Sequence, residues 1–135
     1  MPTARVIGAG RAGGSMAGAL AAAGWTMLPA LGRDDDVSSA AHDVDLLVIA
    51  TPDASIASVA AAVEPVATTV VIHLAGSLGL DVLAPHARRG ALHPLVALPN
   101  ARVGADRLRG AWFAVAGDEL ADHVVADLGL SLIHI

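Results

Sequence analysis

Arg5-Val6-Ile7-Gly8-Ala9-Gly10-Arg11-Ala12-Gly13-Gly14-Ser15-Met16 is the stretch on which the fold turns. Residues 4–8 are apolar apart from Arg5, too few for a helix, and end in glycine, which predicts a buried strand. Residues 12–23 are mostly small and helix-compatible, and Gly24 stands where a helix-ending residue with positive φ is wanted. Between them, residues 8–13 spell G-x-G-x-x-G. In that setting the glycines differ in their steric roles. Gly8 permits the tight turn, Gly10 lets a ligand approach the backbone, and Gly13 lets helix and strand pack closely.

The alternation continues on the carboxyl side. Residues 25–31 read as a second strand, which Pro29 weakens because it has no amide proton to give. Residues 38–42 are expected to form a short helix, and residues 45–51 are the clearest buried strand in the sequence. Pro52 and Asp53 start a helix over 54–63, Glu64-Pro65 ends it, and the β-branched run 68–74 is strand-like. Short strands at 91–93 and 112–116 and a helix over 119–128 follow. Short apolar strands separated by helical segments predict an α/β fold: a Rossmann-like, doubly wound, mainly parallel sheet with helices on both faces.

A glycine turn entering a helix favours an anion, because the unpaired amides near Gly10, Arg11 and Ala12 and the helix dipole point at it. The expected ligand is a dinucleotide held by its pyrophosphate; a tight turn without a ligand is the alternative, since 14 glycines make the spelling alone weak. The adenosine end should be read at the close of the second strand, where the chain runs Leu31-Gly32-Arg33-Asp34. Arg33 stands where a guanidinium can clamp a 2′-phosphate, which favours NADP over NAD. Asp34, Asp35 and Asp36 leave open both a simple ion pair with Arg33 and an NAD-type ribose contact.

Groups that follow strands at their carboxyl ends are the candidates for chemistry. Thr51, Pro52 and Asp53 should run beside the cofactor, although Thr51 or Asp53 serves equally as a helix N-cap. Ser77, in His73-Leu74-Ala75-Gly76-Ser77, can offer a hydroxyl to a carbonyl oxygen or simply cap a turn. His93, before Pro94, is the natural proton relay because imidazoles titrate near neutrality, against the alternative of a structural histidine. His42, His86 and His123 sit in surface-like contexts and are given no role. The histidines share no close ligand spacing and cysteine is absent, so no metal site is expected.

Composition narrows the classes. The chain has 135 residues and a formal charge of -5, with every cation an arginine, scattered rather than striped, so a nucleic-acid partner is not expected. No G-x-S-x-G elbow and no lysine exist, which excludes the corresponding hydrolases and P-loop kinases. No apolar stretch is long and unbroken enough for a membrane helix. Arg5 before an alanine-rich stretch mimics a signal peptide, but Arg11 and Gly8, Gly10, Gly13, Gly14 and Gly18 interrupt the apolar region, so a cytoplasmic protein is expected. The last residues, Leu130-Ser131-Leu132-Ile133-His134-Ile135, are what CTG TCT CTT ATA CAC ATC encodes, a string common at sequencing-adapter ends. The expectation is a cofactor domain over 1–129 and a non-native tail over 130–135 from a truncated reading frame; a genuine terminal strand is the alternative.

The segments V-I-G-A-G-R-A-G-G-S-M-A-G-A-L, V-I-A-T-P-D, V-I-H-L-A-G-S, G-A-L-H-P and F-A-V-A-G-D, in that order, resemble the Rossmann-like oxidoreductases that carry a carboxyl-terminal DUF2520 helical domain. These are similar in turn to prephenate dehydrogenase, pyrroline-5-carboxylate reductase and the 6-phosphogluconate dehydrogenase superfamily. The resemblance covers residues 5–129 and implies an NADP-dependent oxidoreductase acting on a small carbonyl or imine compound. By motif match it places the catalytic serine and histidine of prephenate dehydrogenases on Ser77 and His93. The lysine that follows the Gly-Ser turn there is missing here, as is the helical domain that closes the substrate site and makes the dimer. A homodimer is therefore expected of the full-length protein, and a non-catalytic dinucleotide-binding or redox-sensing module is the alternative function.

Overall fold

A computed structural model describes residues 2–8, 10–94, 112–120, 123–124 and 131–134. Strand β1 (Thr3–Ile7) runs into helix α1 (Arg11–Ala22), as the glycine pattern predicts. Gly24, at φ 96°, follows the helix end in the left-handed conformation that glycine adopts without steric cost. Then come β2 (Thr26–Met27), β3 (Leu46–Ile49), a 3-10 turn (Asp53–Ser55), α2 (Ile56–Ala62), β4 (Val70–His73), a second 3-10 turn (Asp81–Leu83), β5 (Arg88–Pro94), β6 (Trp112–Gly117) and β7 (Ser131–His134).

The described strands form one sheet in the order β2-β1-β3-β4-β5-β6-β7, with every pairing parallel except β5 with β6. The chain leaves β1 to one side for β2 and returns to its other side for β3. That reversal opens a crevice at the carboxyl ends of β1 and β3, where open α/β sheets bind ligands. β3 and β4 are buried at all four positions, because both faces of the sheet are covered. Leu46, Val48, Val70 and Ile72 pack with Met16, Ala19 and Leu20 of α1 on one face. Leu47, Ile49 and Val71 pack with Ile56 and Ala60 of α2 on the other. The period-2 alternation of each strand thus feeds two half-cores, and the predicted doubly wound arrangement is observed.

Two segments differ from expectation. The second strand is regular only over Thr26–Met27; it breaks at Pro29, and Leu31 rejoins β1 through a single bridge to Ile7. Residues 38–42 form successive tight turns rather than a helix, with the Ala40 and His42 amides donating three residues back, to Val37 and Ser39. Of the helix expected over 119–128, residues 119–120 and 123–124 are helical, and Val124 is buried on the α1 face; its other residues lie outside those described.

Candidate functional site

Gly8 has φ 119°, and a Cβ there would fall 2.6 Å from the Ala50 carbonyl oxygen, so only glycine allows β1 to turn this close to the end of β3. A Cβ on Gly13 would collide with the Gly8 carbonyl oxygen, which is the close helix–strand approach expected of the third glycine. Gly10 is different: nothing lies within 4 Å of the Cβ position. It faces open space at the start of α1, where no side chain caps the helix and no carboxylate stands in the first turn. The first amides of α1 are therefore available to an anion, and the helix dipole favours one.

This corner forms one wall of a groove of about 770 Å³, in the range of small-molecule and cofactor sites. Gly8, Gly10, Arg11 and Ala12 line it, together with Gly32, Arg33 and Asp35. The two stretches are tied together because the Gly8 amide donates to the Leu31 carbonyl at 2.8 Å and the Leu31 amide donates to Val6 at 3.0 Å. Arg33 thus hangs over the groove from a turn anchored on the glycine loop. Asp35 accepts the Gly32 amide at 2.6 Å, and Asp36 accepts the Ser38 amide at 2.9 Å. The Ser38 bonds also hold the Asp36 carboxyl below its ordinary value. Among the described residues no carboxylate is within ion-pair distance of Arg33. Asp35 and Asp36 serve the turn, not the guanidinium.

Thr51 and Pro52 line the same groove, and the Thr51 hydroxyl is buried without a partner. Neither Thr51 nor Asp53 acts as a helix cap: the residue before the 3-10 turn is Pro52, and no side-chain cap bond is made. Asp53 is exposed and outside the groove lining. Sequence reasoning missed the contribution of α2 and the residue before it, in which Ser55, Ser58, Val59 and Ala62 line the groove. Their 0, 3, 4, 7 spacing was the available signal.

Ser77 and His93 are not in that groove; they lie further along the same carboxyl edge. β5 overshoots β4: His73 pairs with Ala91, so His93 stands level with the turn that follows β4. There His93 Nδ1 and the Leu74 carbonyl oxygen are 3.1 Å apart, and the imidazole lies directly against Gly76. A carbonyl accepts only, so Nδ1 carries the proton and Nε2 is left with its lone pair in the neutral ring. Ser77 is exposed, next to Gly76.

One other histidine departs from expectation. His86 is 1% exposed, not on the surface, and its Nε2 donates to the Ala60 carbonyl at 2.9 Å, pinning the loop before β5 to α2. His73 is fully buried, with Nδ1 accepting the Ala75 amide at 3.0 Å and Nε2 donating to the Gly79 carbonyl at 2.9 Å. His42 is exposed and lies 3.6 Å from Glu64. Among the described residues no group of three or more His, Asp or Glu is placed to hold a metal, and no helix is long and apolar enough to cross a membrane.

No curated protein matches the chain by sequence. Among solved structures, a candidate NADP oxidoreductase from Bacteroides fragilis superposes with a TM-score of 0.80 at 16% identity, over 99% of this chain and 60% of that one. Prephenate dehydrogenase from A. aeolicus, in complex with hydroxyphenyl propionate and NAD+, gives 0.77 at 14% identity, over 100% and 60%. Plasmodium falciparum pyrroline carboxylate reductase with NADP bound gives 0.69 at 14% identity, over 99% and 57%. The chain spans about 60% of the length of the first two of these structures, and at such identities the likeness is one of fold. Residues 28–99, more than half of the chain, match the Rossmann-like domain family. The sheet order, the glycine turn at its switch point and that match agree: the chain belongs to the Rossmann-like domain family.

Proposed function

We propose that this chain is the cofactor-binding domain of an NADP-dependent oxidoreductase acting on a small carbonyl or imine compound. The observation that carries this reading is one groove lined both by an uncapped helix amino end and by an Arg33 that no carboxylate among the described residues pairs. Those features suit a ligand with two separated anionic groups, a pyrophosphate and a 2′-phosphate. The open Gly10 position and the orphan Thr51 hydroxyl fit the same group, since one leaves room for it and the other lacks a partner without it. The solved neighbours include one with NAD+ and one with NADP, so the choice of NADP rests on Arg33, with the carboxylate of Asp35, which also lines the groove, taken up by the Gly32 amide.

The nicotinamide, when bound, supplies or accepts the hydride. His93 moves the accompanying proton: with Nδ1–H committed to Leu74, its Nε2 takes a proton from a substrate hydroxyl, or, once protonated, returns it to a carbonyl oxygen. Ser77 orients that oxygen. The substrate site is completed by a carboxyl-terminal helical domain of the DUF2520 type, through which the full-length protein dimerises in the cytoplasm. The test is titration of the folded chain with NADPH and NADH, followed by energy transfer from tryptophan. Tighter NADPH binding supports the reading; a folded chain that binds neither overturns it.

A further inference from the structure

The Gly-Ser turn begins with a histidine that the proposed chemistry does not use. His73 is the last residue of β4, in a run whose other members are Val70, Val71 and Ile72. An aliphatic side chain would satisfy the core there. A fully buried imidazole is costly unless both nitrogens find partners, and both do, on the same turn. Nδ1 accepts from the Ala75 amide two residues on, and Nε2 donates to the Gly79 carbonyl six residues on. A nitrogen that accepts an amide proton carries none of its own, so the ring is held as the neutral Nε2–H tautomer.

The residues enclosed by that clasp are those His93 touches. The Leu74 carbonyl accepts from His93 Nδ1, and Gly76 lies under the His93 ring. Ala75, whose amide bonds His73, sits between them and is buried. The turn is thus gripped from inside by one imidazole and supports a second, with the two rings in opposite tautomers.

We propose that His73 is a positioning residue: by clasping residues 74–79 it holds the Leu74 carbonyl in place and thereby fixes the Nδ1–H tautomer and the placement of His93. This rests on the proposed proton-relay role of His93 for its functional meaning, but the coupling between the two rings is testable without cofactor or substrate. Solvent exposure does not dictate this histidine, and neither does the packing of β4. The requirement comes from the neighbouring strand.

Long-range 1H–15N correlation spectra of the labelled chain read both tautomers directly. In the wild-type chain His73 should appear with Nδ1 unprotonated and Nε2 protonated, and His93 with the reverse. In His73→Leu, with circular dichroism unchanged, the single Nδ1–H form of His93 should be lost to a mixture of tautomers, and His73→Asn, which restores an acceptor for the Ala75 amide, should recover part of it. A His93 that keeps its pure Nδ1–H form in folded His73→Leu overturns the proposal. If that variant does not fold, His73→Asn carries the same test, and an Nδ1–H tautomer at His73 in the wild-type spectrum overturns the proposal outright, being incompatible with the clasp. NADPH affinity, measured on the same samples, belongs to the glycine loop and Arg33. Its absence would defeat the cofactor reading and leave the tautomer result standing.

Discussion

The ring of His93 occupies the space that a side chain on Gly76 would need: a Cβ at residue 76 would fall 2.8 Å from Cδ2 and 2.9 Å from Nε2. The glycine before Ser77 is therefore required by the histidine on the adjacent strand, not by its own backbone, whose φ is not in the left-handed region. Gly76→Ala should push the imidazole off the turn, break its bond to Leu74, and cost about 1–3 kcal/mol, as overpacking does. Cofactor binding should be untouched, because Gly76 is not part of the groove. Urea unfolding and imidazole spectra check this; an unmoved His93 signal at wild-type stability would refute it.

Arg33 is expected to discriminate between cofactors. A charge-assisted bond to a phosphate contributes about 1.5–3 kcal/mol, so Arg33→Ala should weaken NADPH about 10- to 100-fold. NADH, which lacks the phosphate, should bind as before. Equal losses for both would mean that Arg33 supports the turn, and an unchanged NADPH affinity would remove it from the site.

The sequence exposes what local chemistry decides. The β3 and β4 strands are continuous apolar runs, and the glycine loop carries its own steric logic, so each could be placed from a few neighbouring letters. The second strand shortens because Pro29 cannot donate, yet its return at Leu31 depends on Val6 and Gly8, more than twenty residues away. Likewise His86 reads as a surface residue until the Ala60 carbonyl, supplied by a helix from another part of the chain, buries it. Arg33 was readable as a phosphate ligand, but its freedom from the three aspartates was not, because that depends on which amides Asp35 and Asp36 capture. The helix expected over 38–42 is replaced by tight turns, even though Asp36 takes the Ser38 amide as a helix cap would.

The three glycines of the loop should fail in different ways. Gly13→Ala drives a methyl group into the Gly8 carbonyl oxygen and should lower stability by about 1–3 kcal/mol before any ligand is added. Gly10→Ala places its methyl in open space with φ at -77°, a value alanine adopts freely, so the melting temperature should hold while NADPH affinity falls at least tenfold. If Gly10→Ala binds NADPH normally, the ligand does not approach that backbone.

Arg88 and Asp118 fasten the amino end of β5 to the residue just past β6, through bonds of 2.9 Å from both Nε and a terminal nitrogen. The Arg88 hydrogen bonds hold the Asp118 carboxyl below its ordinary value, against a smaller opposing effect of burial. A depressed folded pKa means that the unfolded chain takes up the proton first as pH falls. The stabilisation is therefore complete above the ordinary aspartate range near 4 and is lost as pH drops through the lower, folded value. With the Arg88 side chain 43% exposed, solvent screening limits it to about 0.5–1 kcal/mol. Asp118→Asn should be less stable than wild type by that amount at pH 7 and in low salt, and the gap should close as pH falls through the lowered folded value, where the carboxyl becomes neutral like the amide. Urea unfolding of the two chains across that range measures it; a gap that stays constant with pH would assign the difference to packing and to the Leu120 amide that Asp118 also bonds.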